Sequence, residues 1–190
     1  LLKGDDTLIL CAHNRECLFG DVVNSEMQLS AIGTIVLEEW LRSPEIRAEI
    51  ELDEWIIMPN HLHGIVVIVG AHGGAPNAPD TPGGGHDTPN RADSRPPLRR
   101  QPRSLGSFIA GFKSAVTTRV NTIYDSGGAK LWQRNYHEHI IRNERELNAI
   151  RAYIQNNPTK WAADRDNARN TRQFPPPNTI DDYLRDMGLI

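Results

Sequence analysis

Apolar residues recur with two different periods along this chain, and the changes of period mark its elements. Residues 7–12 read TLILCA, a short apolar run of buried-strand length. Gly20 and Asp21 break the chain after it. From Met27 the spacing turns helical: Leu29, Ile32, Ile35, Val36 and Trp40 share a face. Ser30 is placed to cap that helix, which is expected to end near Pro44. Residues 52–58 are strand-like, with Trp55, Ile56 and Ile57; Pro59-Asn60 signals a turn. Residues 61–69, HLHGIVVIV, form the next strand, and the short link predicts a hairpin. Residues 105–120 return to helical spacing through Phe108, Phe112, Ala115, Val116 and Val120. A strand ending in Ile140 and Ile141 follows. Residues 143–157 form a last helix, striped by Leu147, Ile150 and Ile154. Asn143 is its predicted N-cap, Glu146 stands at capping-box spacing, and Pro158 is its predicted stop.

Residues 70–104 differ in kind. They are rich in Gly, Pro, Asn, Asp and Arg and almost empty of apolar side chains. Such a composition cannot offset the entropy of ordering, which predicts a flexible insertion loop. Its second half carries Arg91, Arg95, Arg99, Arg100 and Arg103 against Asp93 alone. That run reads equally well as a DNA-backbone contact or a solvated tether. From about residue 162 the chain is a polar tail, with a short amphipathic stretch at Tyr183 and Leu184. The 1–190 chain is therefore expected to be one domain. Strands interleaved with helices predict an α+β sandwich with helices covering an antiparallel sheet.

Composition narrows the function only a little. The chain has 190 residues, 38% hydrophobic and 24% charged, with a net charge of −3. Bulk charge does not announce a nucleic-acid binder, but local patches set the field. No apolar run approaches the roughly 20 residues that span a bilayer, so no membrane partner is expected. Asp5 and Asp6 interrupt the first apolar stretch, which predicts no secretory signal. Cys11 and Cys17 fit neither a CxxC pair nor a disulfide framework; a reducing cytoplasm suits them.

His61-Leu62-His63 is the sharpest chemical feature. In a strand, residues two apart point to one face, so both imidazoles can reach one ion. The same pair reads as two plain strand histidines. Two imidazoles with an oxygen ligand and open positions would suit Mg²⁺ or Mn²⁺ bridging to a phosphate. Tyr153 and Asn157 lie four apart on a helix, hence on one face, flanking the apolar stripe. There a phenol could attack phosphorus and an amide oxygen could complete a metal shell; the plainer reading is a core tyrosine and a helix-end asparagine. His137 and His139 form a second His-x-His pair, of which at least one is expected to make a structural or substrate hydrogen bond. Tyr136 is a rival nucleophile without an amide partner one turn on.

Residues 58–68, MPNHLHGIVVI, resemble the HUH segment of single-tyrosine insertion-sequence transposases. Residues 131–161, LWQRNYHEHIIRNERELNAIRAYIQNNPTKW, resemble the C-terminal block of REP-associated tyrosine transposases. HNRECLFG, LDEWIIMPNH and FKSAVTTRVN fit the same IS200-like branch in the same order. The resemblance implies a ferredoxin-like α+β domain. It implies His61 and His63 as metal ligands, Tyr153 as nucleophile and Asn157 at the third-ligand position, where relatives often carry Gln or an acid. It implies a divalent cofactor, Mg²⁺ or Mn²⁺, and cleavage and rejoining of single-stranded or hairpin DNA through a 5′-phosphotyrosine. Bases would stack on exposed aromatics such as Trp132 while arginines track phosphates. Monomer and homodimer both stay open. Two other readings compete: a hairpin-DNA-binding relic without catalysis, and a metal-dependent hydrolase using activated water.

Overall fold

The computed structural model describes residues 5–69, 103–125, 127–164, 167 and 185. In chain order these give β1 (Asp5–Cys11), a 3-10 turn (His13–Arg15), β2 (Gly20–Val23), β3 (Glu26–Leu29) and α1 (Ala31–Ile46). Then come β4 (Ile50–Met58), β5 (His61–Ile68), α2 (Leu105–Tyr124), β6 (His137–Ile140), α3 (Glu144–Lys160) and a 3-10 turn (Trp161–Ala163). β4, β5, β1 and β6 make one sheet in that order, antiparallel throughout. With α1 and α2 this is the βαββαβ order of a ferredoxin-like α+β fold, as expected, to which β2–β3 and α3 are added.

The sheet is covered on both faces. Leu8, Leu10, Leu62 and Val66 point to one side, where they meet Val36 and Trp40 of α1 and Phe108, Phe112 and Val116 of α2. Ile65 points to the other side, against Ile150 and Ile154 of α3. β5 is central and buried on both faces, which is why it reads as a near-continuous apolar run. Gly64 makes the tight packing behind it: a Cβ there would stand 2.6 Å from the Trp40 ring. The indole thus packs directly against the backbone that carries the two histidines.

α3 is fixed to the sheet by polar clamps as well as by its apolar stripe. Asn143 Oδ1 accepts from the Glu146 amide at 2.9 Å, the predicted N-cap. Arg151 grips the Asp53 carboxylate of β4 with Nε, at 2.9 Å, and Nη2. That guanidinium holds the Asp53 carboxyl below its ordinary range. One turn on, Gln155 Nε2 donates to Glu54 at 2.9 Å.

Four expectations need correction. α3 runs past its predicted stop: Pro158 lies in the last turn, where one lost intrahelical hydrogen bond is tolerated, whereas α1 ends near Pro44 as expected. The stretch read as a break at Gly20-Asp21 is a hairpin, β2–β3, turned by Asn24 and Ser25 at positive φ. Trp132 is not an exposed stacking platform; it is 8% exposed, with its ring 5.1 Å from Phe19 and 5.8 Å from Phe112. Ser104, assigned to the insertion loop, caps α2 instead, accepting from the Ser107 amide. The rest of that loop, except Arg103, lies outside the described residues, as do Tyr183, Leu184 and most of the tail.

Candidate active site

The α3 face of the sheet collects every residue singled out for chemistry except Tyr136. Alternation along β5 sends His61, His63 and Ile65 to this face. Antiparallel register carries the pattern sideways: Cys11 stands opposite His61, Ile9 opposite His63, and His137 opposite Ile9 on the next strand. His139, opposite Thr7, projects the same way. Tyr136, one residue before β6, packs with the α1–α2 core instead. It is therefore on the wrong side of the sheet to serve these histidines.

His61 and His63 are 2% and 3% exposed, with ring centroids 5.0 Å apart. The His61 Nδ1 is hydrogen bonded to Asn60 Oδ1 at 2.8 Å. Because that oxygen can only accept, Nδ1 carries the proton and Nε2 keeps its lone pair. The His63 Nδ1 is buried without a hydrogen-bond partner.

α3 brings the tyrosine and the amide over this pair. The Tyr153 ring sits edge-on to His63 at 5.3 Å, and two turns later Trp161 sits 6.1 Å from His61. Asn157 lies midway between Tyr153 and Trp161 in helical phase, so it is placed above the histidine pair. It is 1% exposed, and its Nδ2 is buried without a partner. A buried orphan amide beside a buried orphan imidazole is costly for the fold alone. The amide nitrogen only donates, but with the amide turned so that its oxygen takes this position, one ion would complete both groups. The donor set, two imidazoles and one amide oxygen, fits a divalent ion with open positions. Among the described residues no three His, Cys, Asp or Glu side chains form a metal-binding group, so an ion here would need the amide. Cys11 and Cys17 form no disulfide with each other, and burial pushes the Cys11 thiol up.

The second histidine pair divides its work. His139 Nε2 meets Glu146 Oε1 at 2.5 Å, both buried, and Glu146 Oε2 accepts from the Arg142 amide at 2.9 Å. Glu146 therefore ties β6 to α3, rather than closing a capping box on Asn143. His137 stays exposed at the rim.

Burial keeps both central imidazoles neutral. It pushes His61 well below the ordinary 6.5, with the charges of His63 and Arg15 adding to the effect. His63 is pushed down to about 3 by burial, with His137 adding. Neutral imidazole is the form that binds metal. The same burial has a consequence for stability. Below about pH 6.5 the unfolded chain takes up protons that the folded, metal-free protein refuses. The stability these groups confer is complete above that pH and is lost progressively as pH falls towards about 3. Urea unfolding of metal-free protein should give a lower midpoint at about pH 5 than at about pH 7.5. Equal midpoints would mean that the histidines titrate normally in the fold.

No family model matches the chain. An uncharacterized protein of Haemophilus influenzae is 39% identical over 160 residues, spanning 83% of this chain and 81% of its own length. Among solved structures, a REP-associated tyrosine transposase bound to a REP hairpin superposes with a TM-score of 0.52. That match covers 84% of this chain and 69% of the other, at 17% identity. The fold is shared with that transposase, the architecture that the sequence resemblance implied. No helix among the described residues is long and apolar enough to cross a membrane.

Proposed function

This chain belongs to one family with the Haemophilus protein, and we propose that it is a REP-associated tyrosine transposase, cleaving and rejoining single-stranded DNA beside hairpins. The observation that carries the reading is the Tyr153 ring against His63, over two buried neutral imidazoles and the orphaned Asn157 amide. A core tyrosine would need no such neighbours, and a structural histidine pair would have its nitrogens satisfied.

In this reading His61, His63 and Asn157 hold Mg²⁺ or Mn²⁺. When bound, the ion offsets charge on the scissile phosphate and favours the phenolate over a phenol of ordinary pKa about 10. Tyr153 Oη attacks phosphorus. The bond from phosphorus to the DNA 3′-oxygen breaks, leaving a 5′-phosphotyrosine and a free 3′-OH. The ester keeps the bond energy, so a 3′-OH can reverse the step and join new ends. α3 supplies the positioning: the Arg151–Asp53 and Gln155–Glu54 clamps flank Tyr153 and hold it to β4. Hairpin DNA is the proposed partner; the solved transposase with this fold was captured with a REP hairpin.

Strand cleavage tests this. Labelled oligonucleotides carrying a hairpin and a single-stranded flank are incubated with the protein and Mg²⁺ or Mn²⁺. Cuts confined to the single-stranded flank, absent with chelator and absent on full duplex, are expected. Tight hairpin binding without cleavage under any metal would point instead to a binding protein that kept only the fold.

A further inference from the structure

Asn60 sits at the junction of three elements, and its bond to His61 is only one of the contacts it makes there. It is 1% exposed, in the link between β4 and β5. Its backbone oxygen accepts from the Ala12 amide at 2.8 Å, where β1 ends. Its side chain has two arms. Oδ1 accepts from His61 Nδ1 at 2.8 Å, and Nδ2 donates to the Arg15 backbone oxygen at 3.1 Å. The turn it holds is strained at Arg15: Asn14 and Arg15 both have positive φ, 52° and 55°, which asparagine tolerates but arginine adopts at a cost. Such a turn persists only where its surroundings impose it. Arg15 is half-buried, and one Asn60 side chain joins its backbone to the His61 ring.

We propose that Asn60 is a two-armed positioning residue, which fixes the His61 tautomer with one arm and, with the other, holds the Arg15 turn so that its guanidinium takes a phosphate of the bound strand. The inference rests on the reading of His61 as a metal ligand. A carboxamide suits both tasks because it presents an acceptor and a donor together. The acceptor leaves Nε2 as the free nitrogen of His61, the outer-shell role that orients metal-binding imidazoles elsewhere. The donor reaches the backbone carbonyl at the end of that turn. Placing both on one side chain ties the phosphate-binding cation to the ligand it must stand beside.

Two variants separate the arms. Asn60→Asp keeps an acceptor for His61 Nδ1–H but loses the donor to Arg15. Asn60→Ala loses both. The first readout is the imidazole ¹⁵N spectrum of His61 in metal-free protein, which needs no catalytic activity. The wild type and Asn60→Asp should show the proton on Nδ1; Asn60→Ala should show the other tautomer or a mixture. Mn²⁺ affinity, titrated directly, should fall about 10- to 100-fold in Asn60→Ala and stay within a few-fold of wild type in Asn60→Asp. Affinity for a labelled single-stranded oligonucleotide at low salt should fall in Asn60→Asp about as far as in Arg15→Gln. A wild-type His61 protonated on Nε2, or a spectrum indifferent to Asn60→Ala, overturns the first arm. Unchanged oligonucleotide affinity in Asn60→Asp and Arg15→Gln overturns the second. Neither depends on cleavage, so a protein with the expected tautomer that never cuts DNA would sink the proposed function and leave the Asn60 role standing.

Discussion

Replacing His63 with alanine should abolish metal-dependent strand cleavage while leaving the metal-free fold intact. The expected loss is on the order of 10³-fold or more, about 4 kcal/mol of transition-state stabilisation. The expected change in metal-free stability is small, within about 1 kcal/mol, because two terms oppose each other. Deleting a buried ring leaves a cavity, which destabilises. Deleting a buried imidazole whose Nδ1 has no partner removes a desolvated polar group, which stabilises. Function-bearing groups commonly oppose the fold in this way. Single-turnover cleavage and urea melts on the same preparation separate the two effects. A variant that still cleaves at near wild-type rate removes His63 from the metal set. One that unfolds outright makes His63 a structural residue.

Glu146→Ala should cost more stability than any change at the metal set. Glu146 is 1% exposed and satisfies two groups at once, His139 Nε2 and the Arg142 amide. Its removal leaves a buried imidazole nitrogen and a backbone amide without acceptors, at a cost of about 3 kcal/mol. The loss falls on the contact between β6 and the start of α3, two turns before Tyr153. Cleavage should therefore drop as well, but from a loosened helix rather than from lost chemistry. Glu146→Gln keeps one of the two accepting oxygens and turns the other into a donor, so it should recover part of the stability only. Thermal melts of the two variants check this; equal losses would show that the charge, not the hydrogen bonds, matters.

The central strands and the site face could be read from sequence because their rule is local. A period of two puts His61 and His63 on one side whatever else the protein does. A spacing of four does the same for Tyr153 and Asn157. What failed was set by distant partners. Trp132 looks exposed in a polar stretch, yet it is folded back onto Phe19 and Phe112, residues about 110 and 20 positions away in the chain. Glu146 stands where a capping box would use it, but a buried histidine seven residues earlier takes its carboxylate. The β2–β3 hairpin escaped because its turn, Asn24-Ser25, lacks the glycine that announces such turns, and each strand has only four residues. A proline stops a helix only where further turns would follow; Pro158 falls within the last turn. Asn60 carried no signal beyond a Pro-Asn turn, because its meaning lies in what its two amide atoms touch.

Covalent capture tests the central claim most directly. The protein and its Tyr153→Phe variant would be incubated with Mn²⁺ and labelled single-stranded hairpin DNA, then run on a denaturing protein gel. A labelled protein band that needs metal, needs single strands and vanishes in Tyr153→Phe, with hairpin affinity unchanged, is the predicted result. Cleavage that yields no protein-linked product, or an adduct that survives Tyr153→Phe, would contradict a Tyr153 nucleophile and favour a water-activating hydrolase or another tyrosine.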